Sequence, residues 1–286
     1  MKLILLILTA VLFVFFSSNA FALDWKNLHK TADEISISEA QELLNKSKDS
    51  PDALYVAALA YLNQYKVSEA KSLFLKILKI EPETKEAQWG LAEILRREYD
   101  LQKSREVLSQ IIKSNPDFSP AYITLAYIEF SLKNYKEAVN LAAVVINQGM
   151  EAVDKSNYVR AYLILAGAKG MIADKSGPLK KAFHGLQVFP NLKKAQKLQP
   201  ESPGVYFGLG AFYLLAPAIA GGNIIKAKDY LEKAIALDPN LADAYVRLAQ
   251  VYKAQGDPDK FQEYLQLALE KDPKNFLANE VKDSLK

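Results

Sequence analysis

Apolar residues recur every three or four positions in a series of short amphipathic runs, and prolines mark where several of these runs end. Pro82 and Pro116 are 34 residues apart, and Pro239 and Pro273 have the same separation. A period of 34 residues is typical of two paired helices with their turns. The pattern therefore predicts an all-α chain built from repeated helix pairs.

Each period also repeats one order of side-chain sizes. The first unit places large, small and aromatic residues in the order Leu54, Ala57, Ala58, Tyr61, Ala70, Phe74 and Pro82. The later units repeat it as Tyr206, Leu209, Gly210, Tyr213, Ala227, Leu231, Ala234, Pro239 and as Tyr245, Leu248, Ala249, Tyr252, Phe261, Leu265, Ala268, Pro273. Small residues at one position let the two helices approach closely, and the aromatic three residues later fills the next gap.

These residues resemble the tetratricopeptide repeat superfamily over about residues 51 to 275. The resemblance implies a right-handed α-solenoid of helix-turn-helix units, about six in number, with two insertions and terminal capping helices. We expect a signal peptide (1–22), a degenerate helical pair (23–50), repeats 1–3 (51–152), two repeats with insertions (153–241), repeat 6 (242–275) and a closing helix (276–286).

The two insertions interrupt neighbouring units. The first lies at about 170–195 and carries lysines without an acid between Lys175 and Pro200: Lys175, Lys180, Lys181, Lys193, Lys194 and Lys197. The second, 214–225, is an apolar turn interrupted by Pro217, Gly221 and Gly222. One interpretation is a solvated helix face with a loop packed on its neighbour. The other is a basic, apolar-edged lid that contacts an anionic amphiphile, a partner or, peripherally, a membrane.

The resemblance also implies that the first helix of each unit lines a concave groove. The positions expected to face it are Tyr55, Trp89, Glu93, Ile123, Tyr127, Leu163, Phe207, Val246 and Gln250. They predict a mostly apolar and aromatic groove for a protein or peptide, or for a small hydrophobic ligand. Packing between helices is the alternative for each aromatic. Trp89, beside Gly90 and near Glu93 and Arg97, is the expected exposed anchor.

The N-terminus reads as an export signal. Lys2 precedes an apolar stretch from Leu3 to Phe16, and Ala20-Phe21-Ala22 supplies a cleavage site after Ala22. An uncleaved anchor is the alternative, although the stretch is shorter than the ~20 residues that span a bilayer. The expected location is therefore the periplasm or the exterior.

Composition excludes several classes of chemistry. The chain has no cysteine and only two histidines, His29 and His184, and its net charge is +3. Thiol catalysis and cysteine-ligated metals are excluded, and nothing indicates nucleic-acid binding. Gly221-Gly222 lacks the Lys-Ser or Lys-Thr pair of a phosphate loop and is interpreted as a tight connection. We expect no enzymatic activity, cofactor or metal.

Two functions remain open on sequence grounds. The first is an exported scaffold that binds a protein or peptide partner. The second is a periplasmic accessory that binds a hydrophobic ligand, because the signal and the Gly-Gly-interrupted late repeat resemble the T component of tripartite ATP-independent periplasmic transporters. Many members of that family carry an N-terminal lipidated cysteine, which this chain lacks.

Overall fold

The computed structural model describes residues 23–285, and these form sixteen α-helices and one short 3₁₀ helix with no β-strand among them. The helices are α1 (Trp25–Glu34), α2 (Ile37–Lys46), α3 (Pro51–Asn63), α4 (Val67–Ile80), α5 (Lys85–Arg97), α6 (Leu101–Ser114), α7 (Ser119–Ser131), α8 (Tyr135–Gln148), α9 (Lys155–Asp174), α10 (Pro178–Gly185), α11 (Val188–Leu198), α12 (Pro203–Leu215), α13 (Ile224–Leu237), α14 (Ala242–Ala254), α15 (Pro258–Lys271) and α16 (Phe276–Asp283). The prediction of an all-α array of helix pairs is confirmed.

The expected signal peptide, residues 1–22, lies outside the described residues. Within residues 23–285, no helix is both long enough and apolar enough to cross a bilayer.

The regular units share one construction. The first helices α3, α5, α7, α12 and α14 each have 13 residues, and their partners α4, α6, α8, α13 and α15 each have 14. Each second helix packs on its own first helix, and first helices of successive units also contact one another. The first helices therefore lie on the inner side of the curved array.

Small side chains set the distance between helices. Ala58, Ala126 and Ala249 are fully buried at equivalent positions of three first helices. At the equivalent Gly210, a Cβ atom would lie 2.6 Å from Leu231 Cγ, and at Gly90 it would lie 2.4 Å from the ring of Phe74. Neither glycine can be enlarged without moving its neighbour, and at the position of Gly210 this close approach explains why the repeat pattern requires a small residue.

The first insertion lengthens one helix and adds another. α9 has 20 residues, seven more than a regular first helix, and the short helix α10 precedes α11. α9 packs on both α10 and α11, so α11 takes the place of the second helix of this unit. The extra residues therefore project at the end of the unit where the first helix turns into the second.

The predicted N-terminal helical pair forms its two helices, but they do not pack together as a unit. α2 lies against α3, with Ala40 buried beside Ala57 and Ala60. α1 also packs on α3, and extended backbone at Ile35 and Ser36 separates it from α2. The expectation of a degenerate repeat at 23–50 was wrong in this respect, because α1 crosses to the inner side of the array.

Side chains of three units hold α1 on that inner face. The His29 ring centroid lies 5.3 Å from that of Trp89, and His29 Nε2 lies 2.9 Å from the Tyr55 hydroxyl oxygen. The Trp25 ring meets the Phe118 ring edge-on at 5.5 Å. Lys26 Nζ donates to the carbonyl oxygen of Glu151 at 2.8 Å, so α1 reaches from the first repeat to the loop before α9.

The array also closes on itself through residues distant in sequence. The Tyr65 hydroxyl donates to Asp238 at 2.7 Å, the Tyr99 hydroxyl donates to Asp272, and Lys133 Nζ pairs with Glu280 at 3.0 Å. Tyr65, Tyr99 and Lys133 occupy the same turn in three successive units and all have positive φ angles, between 59° and 67°. Glycine fits this conformation without strain, as Gly256 does in the last repeat. The contacts explain why larger residues stand there.

We expect the double variant Tyr65→Phe/Tyr99→Phe to loosen this closure. It keeps both rings and removes two hydroxyl donors to carboxylates, a loss of about 1 kcal/mol each. Chemical denaturation would measure the lower free energy of unfolding, and small-angle scattering would show a larger radius of gyration.

Lys133→Gly is the companion variant at the third closure contact. It removes an exposed ion pair worth about 0–1 kcal/mol and relieves a left-handed conformation that costs about 1–2 kcal/mol. Its stability should therefore equal or exceed that of the wild type. Unchanged stability and dimensions in the double tyrosine variant would contradict the closure argument.

Acidification should weaken the docking of α1. Burial lowers the pKa of His29, and Arg160 acts in the same direction, against the opposing carboxylates of Asp154 and Asp33. Below the ordinary histidine pKa of about 6.5, His29 is protonated in the unfolded chain, but its lowered pKa in the folded chain opposes protonation there. The free energy of unfolding therefore decreases as pH falls. Thermal unfolding followed by circular dichroism should show a larger loss for the wild type than for His29→Gln between about pH 7 and pH 5. Equal losses of stability in the wild type and in His29→Gln would show that His29 is not the cause.

Candidate functional site

The predicted groove residues fall into three groups by their exposure to solvent. Tyr55, Trp89, Glu93, Ile123 and Val246 are buried, Leu163, Phe207 and Gln250 are half-buried, and Tyr127 is 41% exposed. Tyr55 and Trp89 do face the inner side, but α1 covers them. α1 therefore covers the inner face at Tyr55 and Trp89, and the predicted positions that solvent reaches are Tyr127, Leu163, Phe207 and Gln250.

The prediction that Trp89 is an exposed anchor was wrong. Its side chain is 4% exposed, and its ring packs against Phe118 and His29. Its indole Nε1 donates to the carbonyl oxygen of Pro120 and to Thr124 Oγ1, each at 3.0 Å. Gly90 makes room for Phe74 and not for a ligand at Trp89. Trp89 thus joins the first helices of two units to α1.

Glu93 is the centre of a charged cluster and not an isolated polar rim. Arg96 reaches its two carboxylate oxygens at 2.7 and 2.8 Å, and Arg97 Nε donates to it at 2.9 Å. Burial alone would raise the pKa of Glu93, but the two guanidinium groups overcome that effect and hold the pKa well below its usual range. Arg97 also donates to the carbonyl oxygen of Leu62 at 2.7 Å, which ties this cluster to the first repeat.

Tyr127 is the accessible aromatic residue next to this cluster. The Arg96 guanidinium lies 4.5 Å from the centroid of its ring, a cation–π geometry. Asp243, on α14, and burial together raise the pKa of Tyr127 to about 12. Its hydroxyl therefore stays protonated and can donate a hydrogen bond at neutral pH. The expectation of a mostly apolar groove was wrong here, because charged side chains fill the space between aromatic residues.

A small cavity lies where α1 meets the first helices of three units. Its volume is about 30 Å³, room for one or two water molecules. Charged residues are prominent in its wall: His29, Asp33, Glu93, Arg97 and Arg160. This cavity has room for water or a small ion. It is too small for several side chains of a peptide or for a lipid.

The two insertions form a second accessible surface, which we call the insertion surface. Its apolar members, all exposed, are Leu179, Phe183, Leu186, Leu215, Ile219 and Ile225, and its basic members are the six predicted lysines Lys175, Lys180, Lys181, Lys193, Lys194 and Lys197. Lys175 lies over the ring of Tyr135 and Lys194 over that of Tyr162, at 5.1 and 5.5 Å from the centroids. The remaining four lysines have no ring contact of this kind among residues 23–285 and extend into solvent.

Among residues 23–285, no group of three or more histidine or carboxylate side chains could hold a metal ion. His184 is half-buried and packs edge-on against Phe183 at 5.3 Å. Gly221-Gly222 leads into α13, which begins at Ile224, as the interpretation of a tight connection requires.

Sequence reasoning missed two features of the site. It did not identify α1 as the occupant of the inner face, and it did not identify Tyr65, Tyr99 and Lys133 as closure residues. A signal for the second was present: these residues share the 34-residue spacing at a turn where the last repeat has Gly256. No comparable signal marks α1, whose partners lie up to 128 residues away.

We expect Trp89→Ala to destabilise the fold by about 3–5 kcal/mol, because it removes a buried aromatic residue and leaves a cavity. Tyr127→Ala is the matched control and should cost less than about 1 kcal/mol, since that ring is partly solvent-exposed. Urea denaturation of both variants measures the difference. A Trp89→Ala midpoint equal to that of the wild type would show that the indole is not part of the core.

Comparisons with known families and structures identify the repeat. A family model described as tetratricopeptide repeat matches residues 55–117, and a second with the same description matches residues 218–283. No curated protein matches the sequence.

Three similar solved structures show the fold. TTC0263, a tetratricopeptide repeat protein of Thermus thermophilus, has a TM-score of 0.57 and 20% identity over 70% of this chain and 98% of its own. The Cut9-Hcn1 hetero-tetramer of APC/C gives 0.56 and 17%, over 88% of this chain and 46% of that one. Human IFIT1, solved as a dimer with m7Gppp-AAAA, gives 0.57 and 19%, over 81% and 55%.

The matched segments fall on both halves of the described chain, and regular helix pairs continue between them. The solved structures share the fold at identities too low to carry a function. By its repeat sequence and its helix pairs, the chain belongs to the tetratricopeptide repeat superfamily.

Proposed function

We propose that this protein is an exported scaffold that holds a segment of a protein partner on the inner face of its later repeats, beside α1. The observation that carries the proposal is α1 itself. The inner face already binds one helix through aromatic, histidine and backbone contacts. Tetratricopeptide arrays are built for such contacts, because stacked units present one extended concave surface.

The accessible part of that face has the side chains that a peptide needs. Tyr127, Leu163 and Phe207 provide aromatic and apolar area, and Gln250 provides amide donors and an acceptor. A partly exposed tyrosine stacked on arginine is a typical centre for an interface, since both are enriched at binding hot spots. We infer that a partner helix or extended segment contacts this row of side chains, with α1 forming one wall.

The proposal also includes export. The apolar stretch from Leu3 to Phe16 and the small residues before Leu23 support cleavage after Ala22. Mass measurement of the protein recovered from a periplasmic fraction tests this part, and a chain that begins at Leu23 is the expected result. Retention of residues 1–22 would replace export with anchoring. The proposal assigns no catalytic activity to the chain.

Site-specific photo-crosslinking tests partner binding. A photoreactive phenylalanine analogue at position 127 or 207 should capture a partner in cells, whereas the same analogue at Lys113, an exposed position on the second helix α6, should not. Identification of the captured protein then allows affinity to be measured with purified components.

In that measurement, Tyr127→Ala and Phe207→Ala should each weaken binding at least about tenfold, since truncation of a hot-spot aromatic costs more than about 1 kcal/mol. Lys113→Ala is the matched control and should leave the affinity unchanged. Capture from position 113 alone, or equal affinities in all three variants, would place the partner elsewhere.

A further inference from the structure

We propose that the insertion surface docks onto the surface of a bilayer that contains anionic phospholipid. This site is separate from the inner face and independent of the partner proposed above. It rests on three observations: an amphipathic helix without a buried residue, an apolar loop in the next unit, and exposed lysines in two segments that contain no acid.

The helix α10 presents its apolar residues to solvent. Leu179, Phe183 and Leu186 follow one another at helical spacing and are 90%, 64% and 77% exposed. None of the eight residues of α10 is buried, so the helix rests on α9 and α11 without inserting a side chain into the core. Exposed apolar side chains at two positions of α10 and at its C-cap, Leu186, are unfavourable in water and are typical of interfacial helices.

The loop between α12 and α13 presents a second apolar tip. Ile219 is 99% exposed at its apex, on the short 3₁₀ helix Ala218–Ala220. The backbone around it is ordered: the amide nitrogens of Gly221 and Gly222 donate to the carbonyl oxygens of Ala218 and Pro217, each at 3.0 Å. Ile219 is therefore held in solvent by a rigid loop.

Glycine is required at both following positions of this loop. Gly221 has a φ of +97°, and a Cβ on Gly222 would lie 1.9 Å from the carbonyl oxygen of Ala216. The amide nitrogen of Asn223 closes the loop on the carbonyl oxygen of Tyr213 at 2.8 Å. A loop whose backbone is constrained this strongly holds its apolar apex in one position, which limits the entropy lost when the apex inserts.

The helix and the loop lie at one edge of the array. Each connects the first helix to the second helix of its unit, and the two units are neighbours. Ring contacts join the helices next to them: the centroid of Phe189, in the first turn of α11, lies 5.1 Å from that of Phe212 and 6.2 Å from that of Tyr213, both in α12. Both apolar tips therefore project from the same edge of two adjacent units, and we infer that they contact one membrane surface together.

Charge selects an anionic bilayer as the occupant. No acid occurs from Lys175 to Pro200 or from Leu214 to Lys228, and exposed lysines flank both tips. Lysines near a membrane surface with anionic lipid each contribute about 1 kcal/mol of attraction. Protruding apolar tips surrounded by flexible cations insert among lipid headgroups and provide no pocket for a protein side chain.

Vesicle partitioning tests the proposal. The full-length wild type should bind vesicles of phosphatidylcholine and phosphatidylglycerol in a salt-sensitive manner. Lys180→Gln/Lys181→Gln should lower the partition coefficient by about 10- to 30-fold, and Phe183→Ser/Ile219→Ser should lower it by about tenfold. All proteins compared share one N-terminus, so a difference between them reports on this surface alone.

Lys79→Gln/Lys113→Gln is the matched control for the charge variant. It removes the same number of positive charges from α4 and α6, which are distant in sequence from both insertions, and should leave partitioning unchanged. If this control lowers binding as much as the insertion-surface variant, or if neither variant lowers it, the site is not a membrane surface.

A label that reports depth distinguishes lipid insertion from weak electrostatic attraction. Because the chain has no cysteine, Ile219→Cys can be labelled uniquely with an environment-sensitive dye, and Asn45→Cys, on α2, is its control. The dye at position 219 should shift to shorter wavelength on anionic vesicles, and the dye at position 45 should not. No shift at position 219 overturns the proposal, and it leaves the partner proposal for the inner face standing.

Discussion

The close approach of two helices within each unit is the constraint on which the rest of the structure depends. Ala58, Ala126, Gly210 and Ala249 occupy the contact between first and second helices, where a larger side chain would push the pair apart. Because each pair has nearly the same thickness, successive pairs stack with one offset, and small offsets accumulate into curvature. That curvature brings the first helices to the inner side and creates the face that α1 covers in part.

Closure of the array adds a second level of control. A stack held only by nearest-neighbour contacts is elastic, but hydrogen bonds from Tyr65 and Tyr99 connect turns 173 residues away in sequence. These bonds restrict the opening of the inner face and so determine how much of it a partner can reach. The strained turns at Tyr65 and Tyr99 are tolerated because the side chains that cause the strain also make the closing contacts.

The two proposed surfaces differ in what a ligand would meet. On the inner face, Tyr127 lies over the Arg96 guanidinium, which is hydrogen-bonded to Glu93, so aromatic contact and hydrogen bonds contribute to recognition there. On the insertion surface, no acid lies between Lys175 and Pro200, and the exposed lysines of this segment lie near apolar tips. A scaffold that holds a protein on one surface and lipid on the other would place its partner at the membrane.

The sequence by itself determined the helix pairs, their period and the location of both insertions, because these depend on local periodicity and on side-chain size at fixed spacing. It also indicated which positions face inward, since helical geometry relates Tyr55, Trp89 and Tyr127 to one another. Only the tertiary structure decided which of these are accessible. The covering of Trp89 by α1 and the contact of Tyr65 with Asp238 depend on how far the array curves. Curvature is the sum of small rotations at every interface, and no single residue pattern records that sum.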